Sequence, residues 1–303
     1  MTDTTPDAHS SSVAATLHRA TERLTTAGVA ERDSARLDAE ILLRFVISKP
    51  RSFLYTWPNH KLSDEEIHAF DALLERRADD YPLAYLTGEQ EFWSLRFAVT
   101  PEVLIPRADT ELLVETALTA IKDIKSPTVL ELGTGSGAIA IALASERADA
   151  KLVATDYSQA ALQLAQANAR RIADELQRPN TITFGHSNWF EQLNAIDPST
   201  DKYDLIVSNP PYIAERDKHL LGSIRFEPQQ ALTSGASGFD DLEKILQQAQ
   251  AHLNPTGSLV LEHGYNQGEA LRNKLVEAGY THVATHRDAA ERERVTFATR
   301  GNK

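Results

Sequence analysis

The sequence contains no cysteine and a single methionine. Without thiols there can be no disulfide, no cysteine nucleophile and no thiolate metal site, and the absence is compatible with the cytosol. No run approaches the roughly 18 consecutive apolar residues of a membrane span. Positive charge is scarce, with 31 Lys and Arg against 43 Asp and Glu and a formal net charge of −12. That balance argues against broad, charge-driven binding of nucleic acid, which needs basic surface, although a local basic groove stays open. The ten histidines are scattered without metal-ligand spacing, so no metal is expected. Residues 1–12 are polar and lack the basic-then-apolar pattern of a signal peptide, so they read as a disordered tail. What remains, within 303 residues that are 42% hydrophobic, suffices for two ordinary domains of a soluble globular protein.

Three helical patterns fill the region 13–81. Leu17 and Leu24 with nearby alanines suggest the first, and Leu37, Ile41, Leu42, Phe45 and Val46 the second. Ile67, Phe70, Leu73 and Leu74 suggest the third, opened by Ser63 as N-cap with Glu66 three residues on. The expected result is a small helical bundle. Over 82–107 the texture changes to Phe92, Trp93, Leu95, Phe97 and Val99, with a turn at Thr87-Gly88, which reads as a β-hairpin linker. Asp109 is the expected N-cap of a helix through Leu112, Leu113 and Ala117.

From Val129 onward, strand and helix patterns alternate. Strands are expected over 129–132, 151–155, 181–184, 203–208 and 258–261, and helices over 138–145, 158–172 and 240–253, the second capped by Ser158. Val283 and the run Val295 to Ala298 suggest a terminal strand pair. Such alternation implies an α/β domain over 108–303, a parallel sheet with helices on both faces.

Between the first strand and its helix lies Glu131-Leu132-Gly133-Thr134-Gly135-Ser136-Gly137. The glycines permit a tight turn and close approach of backbone to a ligand. Their spacing is not the dinucleotide fingerprint, and no Lys-Ser/Thr follows as in a triphosphate-binding loop. Glu131, just before the turn, is unwelcoming to pyrophosphate and suited to a cationic ligand. Asp156 ends the second strand, where an acid can accept hydrogen bonds from both ribose hydroxyls. An acid, a Gly-x-Gly-x-Gly loop and a ribose acid together resemble the class I S-adenosylmethionine-dependent methyltransferases. The resemblance implies a Rossmann-like sheet with S-adenosylmethionine as cofactor and S-adenosylhomocysteine as product. It implies an adenine pocket at Ser187-Asn188-Trp189-Phe190, with Trp189 against the purine and Asn188 bonded to the exocyclic amine. Trp189 also admits a plain reading as a core residue.

A second motif, Asn209-Pro210-Pro211-Tyr212, follows the apolar run Tyr203–Ser208. Two prolines forbid continuation of strand or helix and force a rigid loop at a strand end, where open α/β sheets bind ligands. An amide, exposed carbonyls and an aromatic ring suit a planar –NH2 group. Together with the first motif, this loop resembles enzymes that methylate planar nitrogens, of adenine, cytosine or a glutamine amide. An amide nitrogen is a poor nucleophile because its lone pair is delocalised. The Asn209 side-chain oxygen and the Pro210 carbonyl would accept its two N–H bonds and favour charge developing on it, with Tyr212 packed against the flat group.

The linker narrows the resemblance. Tyr85-Leu86-Thr87-Gly88-Glu89, Glu91-Phe92-Trp93, Val103 to Arg107 and Asp109-Thr110-Glu111 resemble the bacterial peptide chain release factor glutamine methyltransferases. So do Glu227-Pro228 with Ala231-Leu232, and Glu262-His263-Gly264 with Gln267. The similarity spans about residues 15 to 300. It implies N5-methylation of the glutamine in the Gly-Gly-Gln motif of class I release factors, modulating translation termination in the cytoplasm. By it, Glu131, Gly133, Thr134, Gly135, Ser136, Gly137, Asp156, Asn188, Trp189 and Asn209 bind the cofactor, and Asn209 to Tyr212 hold the glutamine. Many relatives carry Asp at the position of Asn188, so the adenine contact there loses its charge. Arg107 either steadies the linker or touches the substrate. A bundle at 13–81 would dock the release factor, since one glutamine gives little contact area, and an accessible cleft suits a monomer with no membrane and no direct nucleic-acid contact. The rival acceptors are a ribosomal-protein glutamine and the N6 of adenine in DNA; the latter needs base flipping and a target-recognition domain that the sequence does not display. A non-catalytic cofactor-binding module is the remaining alternative.

Overall fold

The structure is a computed structural model that describes residues 11–179, 181–200 and 202–301. The helices and strands run α1 (Val13–Thr26), α2 (Arg32–Ile47), α3 (Arg51–Thr56), α4 (Asp64–Ala78) and α5 (Leu83–Thr87), then β1 (Glu89–Phe92) and β2 (Leu95–Ala98). After these come α6 (Glu111–Ala120), β3 (Thr128–Leu132), α7 (Ala138–Glu146), β4 (Lys151–Asp156), α8 (Gln159–Leu176), β5 (Ile182–His186), α9 (Leu193–Ile196) and β6 (Tyr203–Ser208). The chain closes with α10 (Asp240–His252), β7 (Leu253–Glu262), α11 (Gly268–Glu277), β8 (Thr281–Arg287) and β9 (Glu293–Thr299).

Two compact units divide the chain: one holds the residues through Gly88 plus Gly222–Phe226, the other the rest. The helical unit has its own core, in which Leu17, Leu24, Leu42, Leu43, Phe70 and Leu74 are buried. Ser63 and Glu66 form a reciprocal capping box that starts α4. Most of the tail expected over 1–12 lies outside the described residues, but its last two positions are ordered. Ser12 caps α1 through its side chain, and the Ser11 carbonyl accepts from Leu62 N–H at 2.9 Å. Two short helices, α3 and α5, were not expected. Thr87-Gly88 is therefore no strand turn: Thr87 ends α5 and Gly88, at φ 75°, caps it in the left-handed region. Arg225 joins this unit by donating to the Asp79 carbonyl at 2.8 Å.

The sheet unit is an α/β fold of Rossmann type. Its seven strands lie in the order β5-β4-β3-β6-β7-β9-β8. Strands β3 to β7 are parallel where they pair, but β9 runs antiparallel between β7 and β8, so the sheet is mixed rather than wholly parallel. Strand alternation sorts the two faces: Leu205 and Val207 join the layer with α6, α7 and α8, while Ile206 joins the layer with α10 and α11. α11 was not read from the sequence because only Leu271 and Leu275, with Gly268, are buried on a polar ten-residue helix. The β1–β2 hairpin spans 89–98 and turns at Trp93-Ser94, both at positive φ (53° and 56°), the backbone a two-residue hairpin requires. Asp109 does not cap α6. It sits in a 3-10 turn over Ala108–Thr110, and Thr110 occupies the cap position without a side-chain cap bond. No helix among the described residues is long and apolar enough to cross a membrane.

Candidate active site

A cavity of about 250 Å3 opens over the ends of β3, β4 and β6 in the sheet unit. One wall is Gly133 to Ser136 with Asp156, Tyr157 and Ser158; a second is Ser187, Asn188 and Trp189. Asn209 and Pro211 form a third, and the stretches 102–107 and 228–231 complete the rim.

The glycine loop follows from backbone geometry. Gly133, Gly135 and Gly137 sit at φ 75°, 55° and 85°, which L side chains rarely adopt. A Cβ on Gly137 would also stand 2.9 Å from Ile141 Cδ1. The loop is tied to β4 by Gly133 and Thr134 N–H, both donating to the Thr155 carbonyl at 2.9 Å. Asn168, a buried amide on the inner face of α8, accepts from Ala98 N–H at 2.9 Å and donates to the carbonyls of Ala98 (3.0 Å) and Ser136 (2.9 Å). Sequence reasoning missed it, although its position seven residues after Ala161 and three after Ala165 on the buried stripe was a signal.

Asp156 accepts from Gly135 N–H on Oδ2 and Ser158 N–H on Oδ1, each at 2.8 Å. Burial pushes its carboxyl up, and the backbone donors offset part of that rise. Each oxygen keeps a further lone pair for a ligand hydroxyl. Glu131 is not part of the wall. It is fully buried behind the loop, where Oε2 accepts from Thr134 Oγ1 (2.6 Å) and Ala140 N–H (3.1 Å). Its Oε1 has no partner, and burial pushes the carboxyl up to about 7. Trp189, at φ 52°, is half-buried against the β7-side core and faces the loop, so that a Cβ on Gly133 would lie 3.8 Å from its ring. Asn188 is exposed and donates its side-chain N–H to Glu191 Oε1 at 2.8 Å.

In the proline loop, Asn209 Nδ2 donates to Thr110 Oγ1 at 3.3 Å. Pro210 is buried and, like Tyr212 and Gly137, stands outside the cavity wall. The Tyr212 hydroxyl donates to Glu262 Oε1 at 3.2 Å, and burial followed by the Glu262 charge raises its titration well above the ordinary phenol. Gln267 holds the loop from behind, donating to the carbonyls of Tyr212 (3.0 Å) and Gly238 (3.2 Å). A Cβ on Gly238 would come within 2.3 Å of the Tyr212 carbonyl oxygen, so only glycine fits. Glu227, buried, accepts from Ile105 N–H at 3.0 Å and pairs with Arg107, which ties the two rim stretches together.

A family model described as the PrmC N-terminal domain matches residues 15–88, and the methyltransferase small domain matches 108–239. A release factor glutamine methyltransferase of Aliivibrio fischeri is 46% identical over 94% of this chain and 96% of its own. One from Escherichia coli K12 is 46% identical over 88% of this chain and 92% of its own. The chain belongs to the release factor glutamine methyltransferase family. Among solved structures, the catalytic domain of hMettl16 in complex with MAT2A 3′UTR hairpin 6 has a TM-score of 0.54. It covers 86% of this chain and 93% of its own at 14% identity, a likeness of fold alone.

For a member of the release factor glutamine methyltransferase family, the residues present fit S-adenosylmethionine. A buried carboxylate with an unpartnered oxygen precedes the loop, a glycine cradle leaves room for close approach, a second carboxylate ends β4, and an indole lies opposite. Tyr157, 65% exposed at the cavity edge, was not read from the sequence. Nor were Glu102 and Gln230; they belong to stretches that no local pattern marks as facing a cavity.

Proposed function

We propose that this chain transfers a methyl group from S-adenosylmethionine to the side-chain amide nitrogen, N5, of the glutamine in the Gly-Gly-Gln motif of class I release factors. The observation that carries the reading is that Asn209 and Pro211 share one cavity with the glycine loop, Asp156 and Trp189. When bound, S-adenosylmethionine supplies an electrophilic methyl. Asp156 takes the ribose hydroxyls, Trp189 packs the purine, Asn188 meets its exocyclic amine, and Glu131 sets negative charge beneath the loop. Asn209 Oδ1 and the Pro210 carbonyl accept the two N–H bonds of the glutamine amide, and Tyr212 with Pro211 keeps the loop rigid around it. Those acceptors favour positive charge developing on the nitrogen, which gains the methyl and loses one proton; S-adenosylhomocysteine is the co-product. No strong base is required, because the proton becomes acidic as the new bond forms. Preorganised acceptors and positioning supply the rate.

The helical residues 13–81 serve as the docking unit for the release factor, linked through 82–107, and the enzyme works as a cytoplasmic monomer without direct nucleic-acid contact. The deciding experiment is transfer of labelled methyl to a purified class I release factor, alongside a factor with its Gly-Gly-Gln glutamine replaced. Label confined to the intact factor supports the reading, and label in neither factor overturns it. Asn209→Ala should lower kcat by about 100-fold or more while calorimetry finds cofactor affinity retained.

A further inference from the structure

Two buried amides stand behind the cavity, and each spends its side chain on main-chain partners. Asn168 on α8 is 1% exposed; it accepts from Ala98 N–H at 2.9 Å and donates to the carbonyls of Ala98 and Ser136 at 3.0 and 2.9 Å. Gln267, at the N-cap of α11, is 6% exposed. It accepts from Gly264 N–H at 2.8 Å and donates to the carbonyls of Tyr212 and Gly238 at 3.0 and 3.2 Å. A backbone N–H only donates and a carbonyl only accepts, so the orientation of both amides is fixed. Each NH2 group gives away both protons, and each joins one loop of the site to a second segment. Asn168 joins the glycine loop to the end of β2, and Gln267 joins the proline loop to the turn before α10.

Both loops need such a tie. The glycine loop passes through positive φ at Gly133, Gly135 and Gly137, and glycine loses more freedom on ordering than any other residue. The proline loop is stiff within itself, but Pro210 and Pro211 have no N–H with which to anchor it. Gly238 runs so close behind it that a Cβ there would stand 2.3 Å from the Tyr212 carbonyl oxygen. The Gln267 NH2 bridges the two carbonyls that this approach brings together. The amides share no partner, and their helices lie on opposite faces of the sheet, α8 with Ala169 and Ile172 in one layer and α11 with Leu271 and Leu275 in the other.

We infer that Asn168 and Gln267 are positioning residues with separate duties, Asn168 ordering the glycine loop for the cofactor and Gln267 ordering the proline loop for the acceptor amide. This rests on the reading that the first loop holds S-adenosylmethionine and the second the substrate glutamine. Without Asn168 the cofactor must order the glycine loop as it binds, so affinity falls. Without Gln267 the Asn209 oxygen and the Pro210 carbonyl lose their placement around the reacting nitrogen, so turnover falls.

The test compares Asn168→Leu with Gln267→Met in the full chain, using a class I release factor as substrate and calorimetry for S-adenosylmethionine. Asn168→Leu should weaken cofactor binding by about 10-fold, and saturating cofactor should recover most of the turnover. Gln267→Met should lower kcat by about 10-fold with cofactor affinity retained. Both variants lose buried hydrogen bonds and should melt earlier, but a purely structural role would not divide affinity from kcat. In the double variant the two effects should multiply, as expected of sites without shared partners. Should either variant fail to fold, Asn168→Ser and Gln267→Asn decide, with the same division at about 3-fold. Equal losses of affinity and kcat in both variants, or wild-type values of both, overturn the inference. A dead Asn209→Ala beside a fully active Gln267→Met would refute only this inference, whereas a fully active Asn209→Ala would refute the reading beneath it as well.

Discussion

Each unit of the molecule buries glutamate, and the acid in mid-helix in one is held differently from the two at strand ends in the other. Glu40, in the middle of α2, is 1% exposed, yet both its oxygens are satisfied. Arg36 Nε and the Tyr55 hydroxyl bond Oε1 at 2.8 Å, and Arg51 Nε bonds Oε2 at 2.9 Å. Burial opposes its ionisation, but the three donors outweigh burial and its titration falls below 4.5. Glu131 and Glu262, at the ends of β3 and β7, are equally buried, and each keeps one oxygen without a partner. Burial dominates there and pushes both up to about 7. On a helix, the next turn or a neighbouring helix can deliver a long cationic side chain to a buried acid. At a strand end under a tight loop, the available donors to Glu131 are a hydroxyl and a backbone N–H. A satisfied acid holds a core together, whereas a half-satisfied one stores free energy that a ligand or neighbouring loop can draw on.

That contrast can be broken by changing one acid at a time. Glu131→Gln carries the largest expected effect on stability, and its sign is unusual. Because the folded carboxyl titrates near 7 and the unfolded one near 4.5, the native state binds more protons between those values, and stability falls as pH rises through that window. The lost stability amounts to roughly 3 kcal/mol at pH 8. Glutamine carries no such penalty, so thermal melts should place the variant above wild type at pH 8 and level with it at pH 4. Its affinity for S-adenosylmethionine should fall about 10-fold at the same time, by loss of a charged acceptor beneath the loop. A variant less stable than wild type at pH 8 would count against the account of the half-paired acid.

Glu40→Gln should move the other way. Its folded titration is depressed, so its contribution is complete above 4.5 and disappears as pH falls through the folded value. Chemical denaturation at neutral pH should register a loss of about 1–3 kcal/mol, shrinking in acid. Equal responses of Glu40 and Glu131 variants would erase the distinction between the mid-helix and the strand-end acid. The smallest effect belongs to a surface device of the helical unit: Ser63→Ala removes the capping box and should cost about 1 kcal/mol, read as a lower denaturation midpoint.

Much of the local architecture was legible beforehand because its causes are local. Ser63 with Glu66 and Ser158 with Ala161 N–H cap their helices as short-range chemistry dictates. β6 spans Tyr203–Ser208 as its apolar run required, with two prolines to stop it. Asp109 misled because a 3-10 turn shifted the start of α6, and α11 escaped because a helix at the edge of a core buries too few apolar residues to show a period. Of the residues singled out for the site, the loop from Gly133 to Ser136, Asp156, Asn188, Trp189, Asn209 and Pro211 line one cavity; Glu131, Gly137, Pro210 and Tyr212 stand outside its lining.

By itself, then, the sequence determined where most of the strands and longer helices form, where the backbone must turn through positive φ at Gly133, Gly135 and Gly137, and which two loops contribute to the cavity. Periodicity, capping and proline act over a few neighbouring residues and can be read in one dimension. Only the tertiary structure decided that β9 runs antiparallel between β7 and β8, that Asn168 clamps the glycine loop to the hairpin, that Thr110 lies against Asn209 and that Glu262 lies against Tyr212. Those contacts join residues 99 positions apart in the case of Asn209 and Thr110, and 50 in the case of Tyr212 and Glu262. A hydroxyl or carboxylate acquires its role from the donor opposite it, and that donor is chosen by how the strands pack.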